Sequence, residues 1–584
     1  MDPAEAITAL MVGIPVKGDP EMIVTVPLDF KDLQRTTVVR ITEIMNVRTS
    51  QLEIDSRLLQ ENERSRYQQP DPVTSRPIYE AERPRRAQFG EDNVNRRTAE
   101  VLGPYQEKAR RFQEAEAGRQ RQQNGEHSQD QAVRKPPSSY VPRDVDVDEL
   151  FIADKECASQ STLDTDDIIF EDNTEPSDFV PFKTWKDANL PEALMTNIRN
   201  CGYKEPRNIQ AFTMPLIEND HDVLGQAETG SGKSAAFLLP IIKHCMITKK
   251  KDDLLAGAPV ALIICPTREL VSQLYDQGRK FATGCNVQVQ RAYGEFKVYE
   301  NARQIRLGCD ILVATVGRLK QFVDDGTVKF DNLTYLVLDE ADHLIETNHY
   351  DSLLDIIRHP KFPDISHRQT LLFSATFSAE VEGVATKILR SERKVIISNR
   401  RKTSANTKIT QEFRMVKKDQ KKDELLKMLK DEQQKNGSIK RTIVFVQMKR
   451  QADVLAAFIS MADIKATTIH GDRSQQLREE ALRDFKGNTR VLVTTDVCAR
   501  GIDILDLDHV VNFDLPNDKT TYIHRIGRTG RTREGLATSF IDPTDSQDQQ
   551  ISRDLIEIAA EAGQEVPPFL VKLADEGCEE NGEE

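Results

Sequence analysis

Two segments of the chain combine residue types that bind phosphate groups and a divalent cation. In AETGSGKS (227–234), Gly230 and Gly232 let backbone N–H groups turn towards phosphate oxygens, and Lys233 adds a point charge suited to β- and γ-phosphates. Ser234 offers a hydroxyl ligand to Mg²⁺. The apolar run AAFLLPII that follows predicts a helix whose N-terminus faces the anion. Gly-Ser-Gly turns also mark ordinary loops, so this segment alone leaves both interpretations open.

The segment YLVLDEAD (335–342) supplies the acidic residues that complete such a phosphate site. An apolar strand followed directly by Asp339 and Glu340 aims both carboxylates at the carboxyl edge of a parallel sheet, where α/β proteins bind ligands. Asp339 is predicted to hold Mg²⁺, directly or through water, and Glu340 to orient and deprotonate an attacking water. The plain alternative is that the two carboxylates only mark a solvated strand end.

Alternating strand-like and helical patterns must position these residues. Apolar runs of strand length recur from about Phe182, each followed by a helical pattern: VALIICP, DILVATV, YLVLDEAD and QTLLFSAT. After a polar linker at 399–411, the alternation restarts with RTIVFVQ, TRVLVTTD, HVVNFDLP and GLATSFI. The sequence therefore predicts an α/β protein with two domains, 176–398 and 412–560, each a parallel sheet flanked by helices.

The two ends of the chain have a different composition. From about Leu52 to Val145 the sequence is rich in Arg, Glu, Gln and Pro, with too few apolar residues to offset the entropy of ordering. We therefore expect residues 1–175 to form a mostly disordered arm, although MIVTVPLDF and TTVVRITEI near its start have strand-like patterns. Residues 561–584 end in DEGCEENGEE and are predicted to be a solvated acidic tail.

Composition limits the classes of protein to which this chain can belong. Its 584 residues suffice for two or three domains, and 38% hydrophobic and 30% charged residues are typical of a soluble protein with flexible parts. The net charge of −14 argues against a positively charged surface over the whole chain. Any contact with nucleic acid must therefore come from a local surface. The eight cysteines form no CxxC pair, and no apolar run approaches the ~18 residues of a membrane span. We therefore expect reduced thiols and no membrane partner.

Three motifs in a fixed order resemble those of one family. DEAD (339–342), SAT (374–376) and HRIGRTGR (524–531) are similar to motifs of the DEAD-box ATP-dependent RNA helicases, and the resemblance covers most of Thr184–Phe540. It implies two tandem RecA-like domains, ATP and Mg²⁺ as cofactors, and an enzyme that hydrolyses ATP to clamp, bend and locally unwind RNA or remodel RNA–protein complexes. The surroundings of the ATP site and the sequence EVPPFL are most similar to the Vasa and Ded-like branch.

The resemblance also assigns an adenine-binding segment upstream of the phosphate loop. GYKEPRNIQ (202–210) resembles the Q motif, whose glutamine, here Gln210, reads the adenine edge, and Trp185 stands where the family stacks an aromatic residue. Arg207 and Asn208 replace the Thr or Ser and the Pro of the family pattern. The residues predicted to bind the nucleotide are Trp185, Arg207, Gln210, Ala227, Glu228, Thr229, Gly230, Ser231, Gly232, Lys233, Ser234 and Asp503. The residues predicted to act in hydrolysis are Lys233, Asp339, Glu340, Arg528 and Arg531, with Ser234 and Asp339 as the metal ligands.

Motifs in both domains resemble those that grip RNA in this family. From PTREL, the YGE turn, TVGR and TTDVCARGID, the predicted RNA-binding residues are Pro266, Thr267, Arg268, Gly294, Thr315, Gly317, Arg318 and Thr495. Glu295 stands where the family has a second glycine, and Val316 where it has proline. Small residues and helix N-termini hold phosphates without reading bases, so we expect binding without sequence specificity. Ser374, Thr376 and His524 are predicted to couple the ATP site to RNA.

The resulting hypothesis is a cycle of domain closure and opening. ATP draws the second domain onto the first, a bent RNA strand leaves its duplex, and hydrolysis resets the open state. The guanidinium groups of Arg528 and Arg531 stabilise the transferring phosphoryl group only when the domains close. A non-unwinding RNA clamp and a DNA-directed relative remain as alternatives. A P-loop kinase or GTPase is disfavoured, because neither needs an arginine pair from a second domain.

The expected partner of the chain is RNA. Protein partners are expected to bind through the N-terminal arm or the surfaces of the RecA-like domains. The expected state is a monomer in the cytoplasm, including ribonucleoprotein or perinuclear granules, with a nuclear location left open.

Overall fold

The chain divides into two units, of which the second carries the predicted site. The computed structural model describes residues 11–15, 23–27, 138–160, 168–172, 174–226, 230–249, 256–346, 349–399, 408–496, 507–530 and 533–579. Contacts group Met1–Gln131 into one unit and Ala132–Glu584 into the other. In the first unit, β1 (Met11–Pro15) and β2 (Ile23–Pro27) form an antiparallel hairpin. β2 confirms the strand pattern of MIVTVPLDF, whereas TTVVRITEI and the rest of the arm up to residue 137 lie outside the described residues.

The second unit contains two α/β lobes, of which lobe 1 spans 138–399. Its strands are β3 (Ile168–Phe170), β4 (Asp222–Gln226), β5 (Ala261–Cys265), β6 (Val289–Ala292), β7 (Ile311–Thr315), β8 (Tyr335–Leu338), β9 (Gln369–Ser374) and β10 (Lys394–Asn399). Its helices are α1 (Val147–Gln160), α2 (Glu192–Asn200), α3 (Asn208–Glu218), α4 (Lys233–Thr248), α5 (Arg268–Phe281), α6 (Val298–Leu307), α7 (Val316–Asp324), α8 (Ala341–Glu346), α9 (Tyr350–Ile357) and α10 (Ala379–Ile388). The sheet order is β3-β10-β4-β9-β8-β5-β7-β6.

The sheet of lobe 1 is parallel except at its edge, where β3 runs antiparallel to β10. Every residue of β5, β8 and β9 is buried, and the sequences ALIIC and YLVL of the first two are continuous apolar runs. Such runs are expected where helices cover both faces of a parallel sheet. Two apolar cores, one on each face, accordingly flank these strands. This confirms the parallel α/β fold that the sequence predicted.

Lobe 1 begins earlier than the predicted boundary at residue 176. The carboxylate of Asp154 on α1 forms an ion pair with Lys280 on α5 and accepts a hydrogen bond of 2.7 Å from the hydroxyl of Tyr203. β3 extends the sheet at β10. The predicted disorder of this segment is therefore wrong where the structure describes it. The reason is that a buried ion pair and one short strand anchor a stretch whose overall composition is polar.

Lobe 2 spans 408–579 and contains a smaller sheet. Its strands are β11 (Ile409–Met415), β12 (Thr442–Phe445), β13 (Ala466–Ile469), β14 (Val491–Thr494), β15 (His509–Asn512) and β16 (Gly535–Ile541). Its helices are α11 (Lys421–Asn436), α12 (Lys449–Ser460), α13 (Gln475–Lys486), α14 (Lys519–Ile526), α15 (Ser546–Glu561) and α16 (Pro568–Glu579). The strand order β11-β16-β15-β12-β14-β13 is parallel throughout. β11 starts inside the linker predicted at 399–411, and residues 400–407 lie outside the described part.

The C-terminal segment packs on lobe 2, so the prediction of a solvated tail from residue 561 is wrong for α16. Leu570 and Leu573 of this helix are buried in one core cluster with Tyr522 and Leu555. The two leucines are three positions apart and lie on one helix face, but the acidic residues that follow dominate the composition. Within the described ranges, no helix combines the length and apolar character needed to cross a membrane.

Leu570→Ala should destabilise lobe 2, because Leu570 is fully buried and its truncation removes apolar contacts and leaves a cavity. We expect a loss of about 3 kcal/mol in the free energy of unfolding, measured by urea unfolding of the whole chain followed by circular dichroism. Val571 is 42% exposed on the same helix and provides the control. Val571→Ala should change the free energy by less than about 0.5 kcal/mol. Equal, small effects of both substitutions would show that α16 contributes no core packing.

Candidate functional site

The segment predicted to bind phosphate lies between the carboxyl end of β4 and the start of α4. Residues 227–229 lie outside the described residues, whereas Gly230 and Gly232 have φ values of 88° and 98°, which favour glycine. A Cβ atom on Gly232 would lie 2.6 Å from Nε2 of Gln210, so the loop packs tightly against the Q-motif segment. Gly232 caps α4, and Lys233 is its first residue. A helix N-terminus and an ammonium group therefore lie side by side, as phosphate binding requires.

A buried ion pair joins this loop to the acidic end of β8. Nζ of Lys233 lies 3.0 Å from Oδ1 of Asp339, and both residues are almost fully buried. Burial opposes the charge on Lys233, but Asp339 and Glu340 outweigh this effect and raise the pKa of the ammonium group. Oδ2 of Asp339 is buried and has no hydrogen-bond partner among the described residues. An unpaired buried carboxylate oxygen is costly, and a cation would satisfy it.

Glu340 follows Asp339 in a strained backbone conformation. Its φ of 53° lies in the left-handed region, which costs a non-glycine residue about 1–3 kcal/mol and occurs mostly at functional sites. The N–H of Glu340 donates a 3.0 Å hydrogen bond to Oδ1 of Asp339 and so holds the turn. Burial raises the pKa of Glu340, although Lys233 and Arg528 of lobe 2 act against the rise. A carboxylate with a raised pKa beside the ion pair is suited to accept a proton.

The last acidic residue of the DEAD motif connects β8 to β9. Oδ2 of Asp342 accepts 3.2 Å hydrogen bonds from the N–H of Ala375 and from both the N–H and the hydroxyl of Thr376. Burial opposes the charge on Asp342, but His524 of lobe 2 and a backbone N–H lower its pKa below the ordinary value. Ser374, at the end of β9, is fully buried. The carboxylate of Asp342 therefore interacts with two of the predicted coupling residues, Thr376 of lobe 1 and His524 of lobe 2.

The Q-motif side chains bind the phosphate loop directly. Gln210 accepts a 2.9 Å hydrogen bond from the N–H of Arg207, and its amide donates to the carbonyl oxygen of Gly232 at 3.1 Å. The guanidinium group of Arg207 donates to the carbonyl oxygen of Gly230 at 2.9 Å. Arg207 therefore adds a second link between this segment and the loop. Adenine binding by Gln210 and Arg207 stays a prediction.

Trp185, predicted to stack on adenine, lies in the core of lobe 1. The residue is 5% exposed and stacks on Tyr203, with ring centroids 6.5 Å apart and an interplanar angle of 22°. Its Nε1 has no hydrogen-bond partner in the part of the chain that the structure describes. A ring buried to this extent presents little open face to a base. The observed role of Trp185 is packing, and its stacking on a nucleotide stays a prediction.

Lobe 2 contributes arginines from α14 and the turn that follows it. Arg528 is 7% exposed, and its Nε donates to the carbonyl oxygen of His524 at 3.1 Å. Arg525, which the sequence reasoning did not single out, pairs with both carboxylate oxygens of Asp496 at 2.5 and 2.7 Å. This bidentate pair fixes α14 against the end of β14 and so positions Arg528. Two predicted residues of lobe 2 lie outside the described residues: Asp503 and Arg531.

The predicted RNA-binding residues of lobe 1 lie at neighbouring strand ends. β5 and β7 are paired, and each leads into a helix, with Thr267 capping α5 and Thr315 capping α7. A Cβ atom on Gly294 would lie 3.0 Å from Nη2 of Arg268, so glycine allows the arginine to lie across this turn. Two helix N-termini and one arginine therefore share one edge of the sheet. This arrangement suits contacts with phosphates.

The remaining predicted RNA-binding residues differ in accessibility. Pro266 is half-buried, Gly317 is exposed at the start of α7, and Thr495 is buried after β14. The buried guanidinium group of Arg318 donates to the carbonyl oxygen of Phe296 at 2.9 Å and to an α6 side chain at 3.2 Å. Burial, with a smaller effect from a neighbouring arginine, lowers the pKa of Arg318 to about 10. Arg318 thus supports the turn after Gly294, and its contact with RNA stays a prediction.

The sequence reasoning missed a set of contacts between the lobes. Glu269 of lobe 1 accepts hydrogen bonds from Gln475 at 3.1 Å and from Arg478 at 2.7 Å on α13. The hydroxyl of Tyr293 donates to Glu479 on the same helix at 2.9 Å. Positions 475, 478 and 479 lie on one helix face, so the spacing of polar residues in HGDRSQQLRE (470–479) indicates a polar face. The spacing does not indicate which residues of lobe 1 that face contacts.

Comparisons with known proteins identify one family. The family model described as DEAD/DEAH box helicase matches residues 207–384, and the helicase conserved C-terminal domain matches 420–533. ATP-dependent RNA helicase glh-3 of Caenorhabditis elegans is 40% identical over 68% of this chain and 57% of its own length. The probable ATP-dependent RNA helicase DDX4 of Pelophylax lessonae is 39% identical over 70% of this chain and 56% of its own length. The chain therefore belongs to the DEAD/DEAH box helicases.

A solved structure shows the same fold. S. cerevisiae Dbp5 bound to RNA and ADP BeF3 matches with a TM-score of 0.56 and 26% identity, over 67% of this chain and all of that chain. This match confirms the predicted pair of RecA-like lobes. The chain spans little more than half the length of the two curated relatives, at 57% and 56%.

Proposed function

We propose that this chain is an ATP-dependent RNA helicase that hydrolyses ATP with Mg²⁺ to clamp, bend and locally unwind RNA or remodel RNA–protein complexes. One observation carries the proposal: Glu340 of lobe 1, which follows Asp339 of the Lys233–Asp339 ion pair, lies within electrostatic reach of Arg528 of lobe 2. The relatives named above are ATP-dependent RNA helicases, one of them a probable one, and the Dbp5 structure holds RNA and ADP BeF3. These similarities support the same activity here.

Buried polar groups around Lys233 fit a nucleotide and a divalent cation. Oδ2 of Asp339 and Oγ of Ser231 are both buried without a hydrogen-bond partner among the described residues. Polar atoms in this state favour a bound polar ligand. Ser234 and Asp339 would hold Mg²⁺, which supplies positive charge beside the phosphate oxygens. Lys233 and the N–H groups at the start of α4 bind the phosphates themselves.

Residues from both lobes share the task of hydrolysis. Glu340 orients a water and takes its proton, which its raised pKa favours. Arg528 and Arg531 donate hydrogen bonds to the phosphoryl group as it is transferred. Because the base and the arginines belong to different lobes, hydrolysis requires closure. Loss of the transferred phosphoryl group then weakens the contact and lets the lobes open.

RNA binds along the strand ends of lobe 1 and reaches Thr495 of lobe 2. The helix N-termini at Thr267 and Thr315, together with Arg268, contact phosphates and not base edges, so binding has no sequence preference. When the lobes close, the groove holds one strand along a bent path. An A-form duplex does not follow such a path, so a short duplex separates locally.

ATP turnover with and without RNA tests this proposal. Single-stranded RNA should stimulate turnover, DNA of the same sequence should stimulate it far less because it lacks the 2′-OH, and a short RNA duplex should separate in the presence of ATP. Turnover that RNA does not stimulate would contradict the proposal. Slow turnover with persistent RNA binding and no strand separation would identify a non-unwinding clamp, and equal stimulation by DNA would identify a DNA-directed enzyme.

The cellular setting is a further part of the proposal. The chain acts as a monomer in the cytoplasm, including ribonucleoprotein or perinuclear granules, and binds protein partners through its N-terminal arm or lobe surfaces. The resemblance to the Vasa and Ded-like branch supports this setting by analogy. Sedimentation of the purified chain and imaging of a tagged chain in cells test the two statements separately.

A further inference from the structure

The carboxylate of Glu295 in lobe 1 lies between the two lobes, where groups from both lobes that attract anions contact it. Oε1 of Glu295 lies 2.8 Å from Nη1 of Arg268, and Oε2 accepts a 2.8 Å hydrogen bond from the N–H of Gln475 on lobe 2. Gln475 is the first residue of α13, so this second contact is with the positive end of a helix dipole. An arginine and a helix N-terminus from different lobes thus hold one carboxylate.

The backbone at Glu295 is held in place for this contact. Its φ of 68° lies in the left-handed region, which is unfavourable for a residue with a side chain unless surrounding contacts maintain it. The carbonyl oxygen of Glu295 accepts a hydrogen bond from the hydroxyl of Ser138, and the N–H of Lys297 donates to the carbonyl oxygen of Tyr140 at 2.7 Å. The hydroxyl of Tyr140 also donates to Glu479 of lobe 2. The segment that precedes α1 therefore fixes the turn that carries Glu295.

The groups that contact the Glu295 carboxylate are of the kinds that bind phosphate oxygens. Partial burial alone would raise the pKa of Glu295, but the hydrogen bonds from Arg268 and from the N–H of Gln475 lower it, so the carboxylate is charged at neutral pH. Arginine side chains and helix N-termini are preferred partners of phosphate oxygens. A phosphate and this carboxylate cannot share them, because like charges at this distance repel.

We infer that Glu295 is an internal competitor of RNA, which holds Arg268 and the N-terminus of α13 until a backbone phosphate displaces it. The inference rests on the proposed function, in which Arg268 contacts the RNA backbone. Glu295 therefore lowers the affinity of the closed lobes for RNA. An RNA strand contacts Arg268 and the N-terminus of α13 only when one of its phosphates displaces the carboxylate of Glu295.

Equilibrium binding of a fluorescently labelled single-stranded RNA tests this inference. The whole chain is saturated with a non-hydrolysable ATP analogue, and wild type is compared with Glu295→Gln, which keeps the side-chain length and an acceptor oxygen but removes the charge. The variant should bind RNA about fivefold more tightly, the upper range for one partly exposed ion pair. The slope of log binding constant against log salt concentration should become steeper by about 0.7, as for one further phosphate contact.

Glu300→Gln is the matched control for this experiment. Glu300 forms an ion pair with Arg303 on the same helix, α6, so its variant loses the same charge five positions further along the chain. E300Q should bind RNA as the wild type does. Equal or weaker RNA binding by E295Q, or a gain shared by E300Q, would overturn the role of Glu295. A wild-type chain with no nucleotide-dependent RNA binding would instead refute the proposed function on which the inference rests.

Discussion

Glu340→Gln should abolish RNA-stimulated ATP turnover and leave ATP binding intact. Gln has the size of Glu and tolerates the same backbone φ of 53°, but it accepts no proton. General-base catalysis contributes about 10²–10⁴-fold, so turnover should fall by about a thousandfold. The Lys233–Asp339 pair is unchanged in this variant, so equilibrium titration with a fluorescent ATP analogue should give the affinity of the wild type.

Thermal unfolding distinguishes a catalytic role of Glu340 from a structural one. Burial raises the pKa of Glu340, which means that its charged form is unfavourable in the folded state, and a neutral amide removes that cost. E340Q should therefore be at least as stable as the wild type. Glu346→Gln is the control, since Glu346 is exposed at the end of α8 and undergoes the same chemical change. Normal turnover in E340Q, or an equal loss in E346Q, would show that Glu340 is not the base.

The core of the nucleotide site is predictable from sequence because its parts are local and the fold brings them together. Asp339 directly follows an apolar strand, and Lys233 stands between a glycine-rich loop and an apolar helix, so each lies within one short motif. The alternation of strands and helices predicts parallel strands, whose carboxyl ends lie on the same edge of a sheet. In lobe 1, β4 and β8 both neighbour β9, so this edge places the two side chains 3.0 Å apart.

Contacts that depend on long-range packing leave no comparable signal. Asp154 lies in a polar segment without a core pattern, yet it forms a buried ion pair with Lys280. Glu269 and Arg478 are 209 residues apart, and neither has a local feature that specifies the other. An aromatic residue such as Trp185 suits stacking on a base as well as packing in a core, and only its burial against Tyr203 distinguishes the two. Such pairings depend on how separate helices and strands pack together. The periodicity of residues within one helix or strand does not specify that packing.

Arg528→Lys should slow ATP hydrolysis by about a thousandfold, the lower range for an arginine that stabilises a transferring phosphoryl group. Arg528 is buried on lobe 2, and its charge opposes the raised pKa of Glu340 on lobe 1. Lysine keeps the positive charge but lacks the planar guanidinium group, whose paired N–H donors match the spacing of phosphate oxygens. Because the phosphate loop belongs to lobe 1, ATP affinity should change far less than the rate, as measured by titration and by single-turnover hydrolysis with RNA.

Arg533→Lys is the matched control for this variant, because Arg533 is 41% exposed in a 2.5 Å ion pair with Asp508 and lysine can replace it there. Equal turnover in the two variants would exclude Arg528 from the chemical step. R528K could lose turnover and still bind RNA in the presence of an ATP analogue. This result would show that Arg528 acts in the chemical step and is not needed for closure of the lobes. The lobes would then still close on RNA without the guanidinium group, and hydrolysis would need it in addition. In the proposed cycle, the base lies on one lobe and this arginine on the other, so ATP consumption depends on the closure that RNA induces.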